Sequence, residues 1–132
     1  MSIKLIEKTQ HCYGLLVFDY DETNDIFLAI KNRIIIPKNT EIPLTVKKKI
    51  YARKNALQDK VLLKFGVTQS SFLEEDPMFV NTFWSELLHL NSNYPTDCPL
   101  QIICSLNENQ IFSGRIVNLL NNETICSLGR NL

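Results

Sequence analysis

Val61, Leu63, Phe65 and Val67 alternate with Leu62, Lys64, Gly66 and Thr68. A period of two places the four apolar side chains on one face of an extended chain, so this segment reads as a strand with one buried side. Its neighbours have the same character. Tyr13 to Phe18 and Ile26 to Ile36 are rich in β-formers, and the acidic, turn-forming insert Asp19 to Asp25 between them makes the pair a hairpin. Asn39 and Pro43 then break the chain, and a short strand is expected at Lys49 to Tyr51, ahead of a turn at Lys54-Asn55. Leu100 to Leu106 and Ile111 to Leu119 flank the polar turn Asn107-Glu108-Asn109-Gln110, and Ile125 to Leu128 adds a last strand. Strands at intervals of about ten residues with turn signals between them predict an all-β protein, an antiparallel β-sandwich.

One segment conflicts with that pattern. Phe79, Val80, Phe83, Trp84, Leu87 and Leu88 recur at helical spacing, so local periodicity by itself predicts an amphipathic helix across Met78 to Leu90.

The size of 132 residues fits one domain with a real core, able to remove about two thirds of its unfolded surface from water. Hydrophobic residues make up 45% and charged residues 21%, the balance of an ordinary globular chain. The 14 basic and 14 acidic residues cancel, which gives no general attraction to nucleic acid or to an anionic membrane. The basic cluster Lys47-Lys48-Lys49 with Arg53 and Lys54 reads as a solvated strand end. Met1 to Leu5 lacks the apolar run of a secretory segment, and no stretch is long and apolar enough to cross a bilayer as a helix. A cytoplasmic protein is expected.

Candidate chemistry is sparse. Cys12, Cys98, Cys104 and Cys126 contain no C-x-x-C pair and read as buried free thiols, and with only His11 and His89 to assist them no zinc pattern forms. Neither histidine belongs to a nucleophilic triad. The acidic runs Asp19 to Glu22 and Glu74 to Asp76 lack the Gly-centred alternation of a calcium loop and read as solvated loops. Four glycines without a P-loop or dinucleotide fingerprint leave no phosphate cradle. The chain is expected to be non-enzymatic and to carry no cofactor or metal.

Several segments, taken in order, point further. Ile36-Pro37-Lys38-Asn39-Thr40-Glu41-Ile42-Pro43 resembles the Lys/Arg-Asn-Thr-x-Ile-Pro segment in the substrate-binding part of 70-kilodalton heat-shock chaperones of the DnaK type. Upstream, Glu7 to Leu15 is similar to that family's acidic-x-Thr-x-x-Ser-x-Gly entry, with Cys12 in place of Ser. Downstream, Gln58 with Val61 to Phe65 resembles its Gln-x-x-Val-x-Ile strand, Tyr94 to Ile102 its Pro-x-Gly-x-Pro turn, and Asn107 to Ile111 its Asp-x-Asn-Gly-Ile hairpin. The likeness spans roughly residue 5 to residue 126, and its specificity lies in the order of partial matches.

The resemblance implies a β-sandwich domain over 11–132, preceded at 1–10 by the end of an interdomain linker and the first strand. It replaces the local helix with a strand across Ser85 to Leu90 and leaves room for a short helix near 76–83. The implied activity is capture of extended hydrophobic peptide segments of unfolded proteins during folding and stress. Main-chain hydrogen bonds would hold any sequence while one pocket selects an aliphatic side chain. By position, the implied peptide-binding residues are Leu15, Tyr51, Val61 and Leu63, with Lys54 at the cleft rim where the family has a small residue. From the alternation alone, Val61 and Leu63 read as core. ATP and Mg would belong to a nucleotide-binding domain outside this chain, and co-chaperones would be further partners.

The chain also departs from the family. The first hairpin is longer, and Val67-Thr68-Gln69-Ser70-Ser71 stands where a Gln-Gly-Glu motif is expected, features of a divergent member. The start coincides with the end of the family's linker, which reads as an excised domain. A rival expectation is a non-catalytic interaction or scaffold module that uses the long first hairpin to bind one folded partner. Unpaired sheet edges also permit a strand-edge dimer.

Overall fold

A computed structural model describes residues 6–21, 23–24, 26–55, 60–90 and 98–128; for 51–55, 60–62, 89 and 98 it describes the backbone alone. The strands are β1 (Cys12–Asp21), β2 (Ile26–Ile36), β3 (Leu44–Asn55), β4 (Lys60–Ser70), β5 (Asn81–Leu90), β6 (Cys98–Leu106), β7 (Phe112–Asn118) and β8 (Glu123–Leu128). They form two antiparallel sheets of four, β2-β1-β4-β5 and β3-β6-β7-β8, which is the expected all-β sandwich. Strand β3 joins the two, because its last residues Arg53–Asn55 leave β6 and pair with Leu62–Lys60 of β4.

The alternating segment of β4 behaves as its pattern predicts. Leu63, Phe65 and Val67 face inward with Leu15 and Trp84, against Leu100, Ile102, Cys104 and Ile116 of the other sheet. Phe65 meets the Trp84 indole edge to face at 4.8 Å, a favoured aromatic geometry. A smaller cluster of Tyr13, Ile36, Ile42 and Leu106 closes one end of the sandwich. The thiols of Cys12 and Cys104 are buried and that of Cys126 half-buried, all free. Burial pushes Cys104 up to about 12, and burial together with the neighbouring Glu86 carboxylate does the same for Cys126, so both stay protonated and unreactive at neutral pH.

Three segments singled out in the sequence meet at that closed end. The Thr9 hydroxyl donates to the Pro37 carbonyl at 2.9 Å and accepts from the Thr40 amide at 3.0 Å. Ile42 N–H donates to the Glu7 carbonyl, and Gln110 Nε2 donates to that of Lys8. Asn39 supplies the left-handed turn, with φ of 68°, that this crossing requires.

A buried polar node ties down the outer face of the first sheet. Thr68 Oγ1 donates to Asn32 Oδ1 at 2.6 Å, and Asn32 Nδ2 donates to the Glu74 carbonyl at 2.8 Å. The Asn32 amide donates to the Glu75 carbonyl at 2.8 Å, so one side chain and its backbone pin the β4–β5 connection onto β2. Gly14 passes directly beneath, where a Cβ would collide with both Asn32 and Thr68.

Several boundaries differ from the expectation. Residues 81–90 form β5 throughout, and the helical tendency survives as a single 3₁₀ turn at Pro77–Phe79, where the Asp76 carboxylate accepts from the Met78 amide at 2.9 Å. Pairing with β4 overrides the local period: Trp84 is buried while Phe83 and Leu87 remain partly exposed. Strand β3 begins at Leu44, five residues ahead of Lys49, and runs through Lys54-Asn55, where a turn is expected from the sequence, because both residues pair with β4. Leu44, Val46 and Ile50 supply its half-buried face, and Lys47, Lys48 and Lys49 are exposed within the strand rather than beyond its end.

Candidate functional site

The first sheet forks. Strand β1 pairs with β4 from Cys12 to Leu16, opposite Ser70 to Gly66, and β3 pairs with β4 only at Arg53–Asn55, opposite Leu62–Lys60. Leu63, Lys64 and Phe65 lie between, and among the described residues their only strand neighbours are Leu88, Leu87 and Glu86 of β5. Beyond Leu16, β1 continues with β2 alone. A β-bulge falls where β1 leaves β4: Val17 opposes Lys31 and Phe18 opposes Ala29, which leaves Ile30 as the extra residue on β2. Such an insertion bends a strand and increases its twist, a physical reason for the departure.

The opening holds a pocket of about 340 Å³, within the range of small-ligand sites. Leu15, Leu63 and Ile50 form an apolar floor, Phe18, Tyr20 and Phe27 line the wall, and Arg33, Lys49 and Lys64 add cationic groups. Tyr20 and Phe27 stack across the first hairpin with ring centroids 4.9 Å apart. Lys64 Nζ lies 5.6 Å from the Phe18 ring centroid and donates to Ser85 Oγ at 3.1 Å, so it bridges the fork from β4 to β1.

Of the residues expected to bind peptide, Leu15 and Leu63 come together in this pocket. They are 8% and 3% exposed and also belong to the core, so they present little more than an edge to the opening. The side chains of Tyr51, Val61 and Lys54 lie outside the described residues. Their backbones pair Tyr51 with Pro99, and Val61 with both Lys54 and Leu90. Sequence reasoning missed Tyr20, Phe27, Arg33, Lys49 and Lys64. The available signal was alternation of Leu16, Phe18 and Tyr20, which extends the first strand into what reads as an acidic turn.

That turn is self-contained. The Asp21 carboxylate accepts from Asn24 Nδ2 at 2.8 Å and from the Asn24 and Thr23 amides. The Asn24 side chain, followed by its amide, holds the Asp21 carboxyl below its ordinary value. Among the described residues no group of three His, Cys, Asp or Glu side chains could hold a metal ion.

A second exposed feature lies on the β4–β5 connection, where Phe72, Leu73, Met78 and Phe79 are all more than two thirds solvent-exposed. A further depression of about 530 Å³ beside Leu44, Leu106 and Ile111 is lined without a charged side chain.

The site therefore defines a class by geometry: an antiparallel sandwich in which Leu63–Phe65 of β4 pair with neither β1 nor β3 among the described residues, with an apolar, aromatic-walled pocket beside that stretch. Comparison with protein-family models and with curated proteins finds no match to this chain.

Proposed function

We propose that this chain captures an extended apolar polypeptide segment in the fork between the β1–β2 and β3–β4 hairpins, as a chaperone-type peptide-binding domain. The stretch Leu63–Phe65, unpaired on its β1–β3 side among the described residues and adjoining the pocket, is the observation that carries the reading. Edge amides and carbonyls accept an added strand whatever its side chains, while the adjacent pocket selects one aliphatic anchor. Burying such an anchor contributes about 1.5 to 3 kcal/mol, and each main-chain hydrogen bond about 1 kcal/mol net. Those magnitudes fit reversible capture. The resemblance to heat-shock substrate-binding domains supports the same reading, under which a cytoplasmic setting, co-chaperones and an ATP-hydrolysing domain belong to the larger protein. No catalysis is assigned to these residues.

A fluorescent, terminally blocked Ser-Leu-Leu-Leu-Ser peptide titrated with the chain is expected to saturate at micromolar concentration by anisotropy. A peptide with Asp replacing each Leu should not bind. Leu63 is too deeply buried to substitute cleanly, so the pocket is better probed at half-buried Phe27. Phe27→Ala should weaken binding about tenfold. No binding to a demonstrably folded chain would overturn the reading.

Scaffold function is favoured by a different observation, the exposed row Phe72, Leu73, Met78 and Phe79, together with Ile26, Leu28 and Ile30 on edge strand β2. Exposed large apolar side chains gathered on one connection, as Phe72, Leu73 and Phe79 are around a shared depression, mark protein interfaces. Under that reading the peptide does not bind.

A further inference from the structure

We infer that the fork prefers apolar segments that carry carboxylates beside their anchor. This inference rests on the capture reading and adds a charge specificity to it. Arg33, Lys49 and Lys64 approach the pocket from three different strands, and among the described residues no carboxylate lines it. The chain as a whole is balanced, with 14 basic and 14 acidic residues, so this one-signed cluster is local. Arg33 and Lys49 are exposed and have no hydrogen-bond or ion-pair partner among the described residues. Of the described acids on the first hairpin, neither Asp19 nor Asp21 lines the pocket. The Asp21 carboxylate is engaged by its own turn, and Asp19 forms no ion pair with Arg33 or Lys49 among the described residues. Lys47 and Lys48 extend the positive charge along β3.

Cations around an apolar pocket focus the field on its mouth and favour an anionic occupant. A peptide is a better occupant than a nucleic acid strand, because β4 lacks a strand partner on one side at Leu63–Phe65 among the described residues and the chain lacks the overall basicity that phosphate binding uses. Each rim pair is modest because it is partly solvated, and the contributions add across the cations.

The test uses three labelled, terminally blocked peptides with the same Leu-Leu-Leu anchor and Asp, Asn or Lys at the flanks, so that only side chains supply charge. The Asp-flanked peptide is expected to bind about tenfold tighter than the Asn-flanked one, about 1.4 kcal/mol, and the Lys-flanked peptide more weakly than either. The difference should shrink in high salt and disappear in the double variant Arg33→Gln with Lys49→Gln, because screening and charge removal act on the same pairs. Equal binding of all three, or tightest binding of the Lys-flanked peptide, would overturn the charge preference and leave peptide capture standing. Binding of none by the folded chain would overturn capture itself. Displacement of the Asp-flanked peptide by an oligothymidylate at lower concentration than by unlabelled peptide would also overturn the inference and assign the cations to a nucleic acid.

Discussion

Gly14→Val is expected to destabilise the fold by about 3 kcal/mol or more, a large share of the about 5 to 15 kcal/mol that holds a domain together. The cause is local. A Cβ at Gly14 would overlap Asn32 and come within 2.6 Å of Thr68 Oγ1, and those two side chains bond each other with no exposure to solvent. They cannot yield without breaking the Thr68–Asn32 bond or the Asn32 bond to Glu74, and either break leaves a buried polar atom unpaired at about 1 to 3 kcal/mol. The urea midpoint should fall accordingly. An unchanged midpoint would mean that the node beneath the β4–β5 connection is not packed as described.

The second large effect is at Phe65. Phe65→Ala should cost about 3 to 5 kcal/mol, because the ring is 1% exposed and packs edge to face on Trp84 in the middle of the core. Phe72→Ala provides the contrast. The same ring deleted at a position 80% exposed should change stability by less than about 0.5 kcal/mol. Both can be followed by the fluorescence of Trp84, the only tryptophan of the chain. Similar losses in the two variants would contradict the assignment of the core to the space between the sheets.

The sandwich was legible because its signals are periodic. Alternation at Leu63, Phe65 and Val67 specified a buried face, and the polar insert at Asn107 to Gln110 marked a hairpin whose flanking strands are β6 and β7. Residues 81–90 misled the local pattern because Phe83, Trp84, Leu87 and Leu88 satisfy a helical period as well as a strand period, and only pairing with β4 decides between them. Strand β3 was read too short for a related reason, since the inward residues Leu44, Val46 and Ile50 are interrupted by three consecutive lysines.

The site was legible only in part. Leu15 and Leu63 do meet in one pocket, yet nothing in their spacing reveals that β1 and β3 separate along β4 and leave three residues of edge between them. That arrangement depends on the bulge beside Val17 and on the crossover of β3 between sheets, both products of register. The cations were hidden for the same reason. Arg33 and Lys64 are isolated in sequence and Lys49 reads as part of a solvated lysine run, and the three become a cluster only when three strands bring them to the same opening.

In the peptide complex we propose, an added strand pairs with β4 between β1 and β3. Residue-resolved amide hydrogen exchange, with and without saturating Asp-flanked Leu-Leu-Leu peptide, tests it most directly. Those amides of Leu63, Lys64 and Phe65 that face the fork are expected to gain protection on binding, while Phe72 to Phe79 exchange as before. Protection confined to Phe72 to Phe79, with Leu63 to Phe65 unchanged, would contradict it and place recognition on the exposed apolar connection instead.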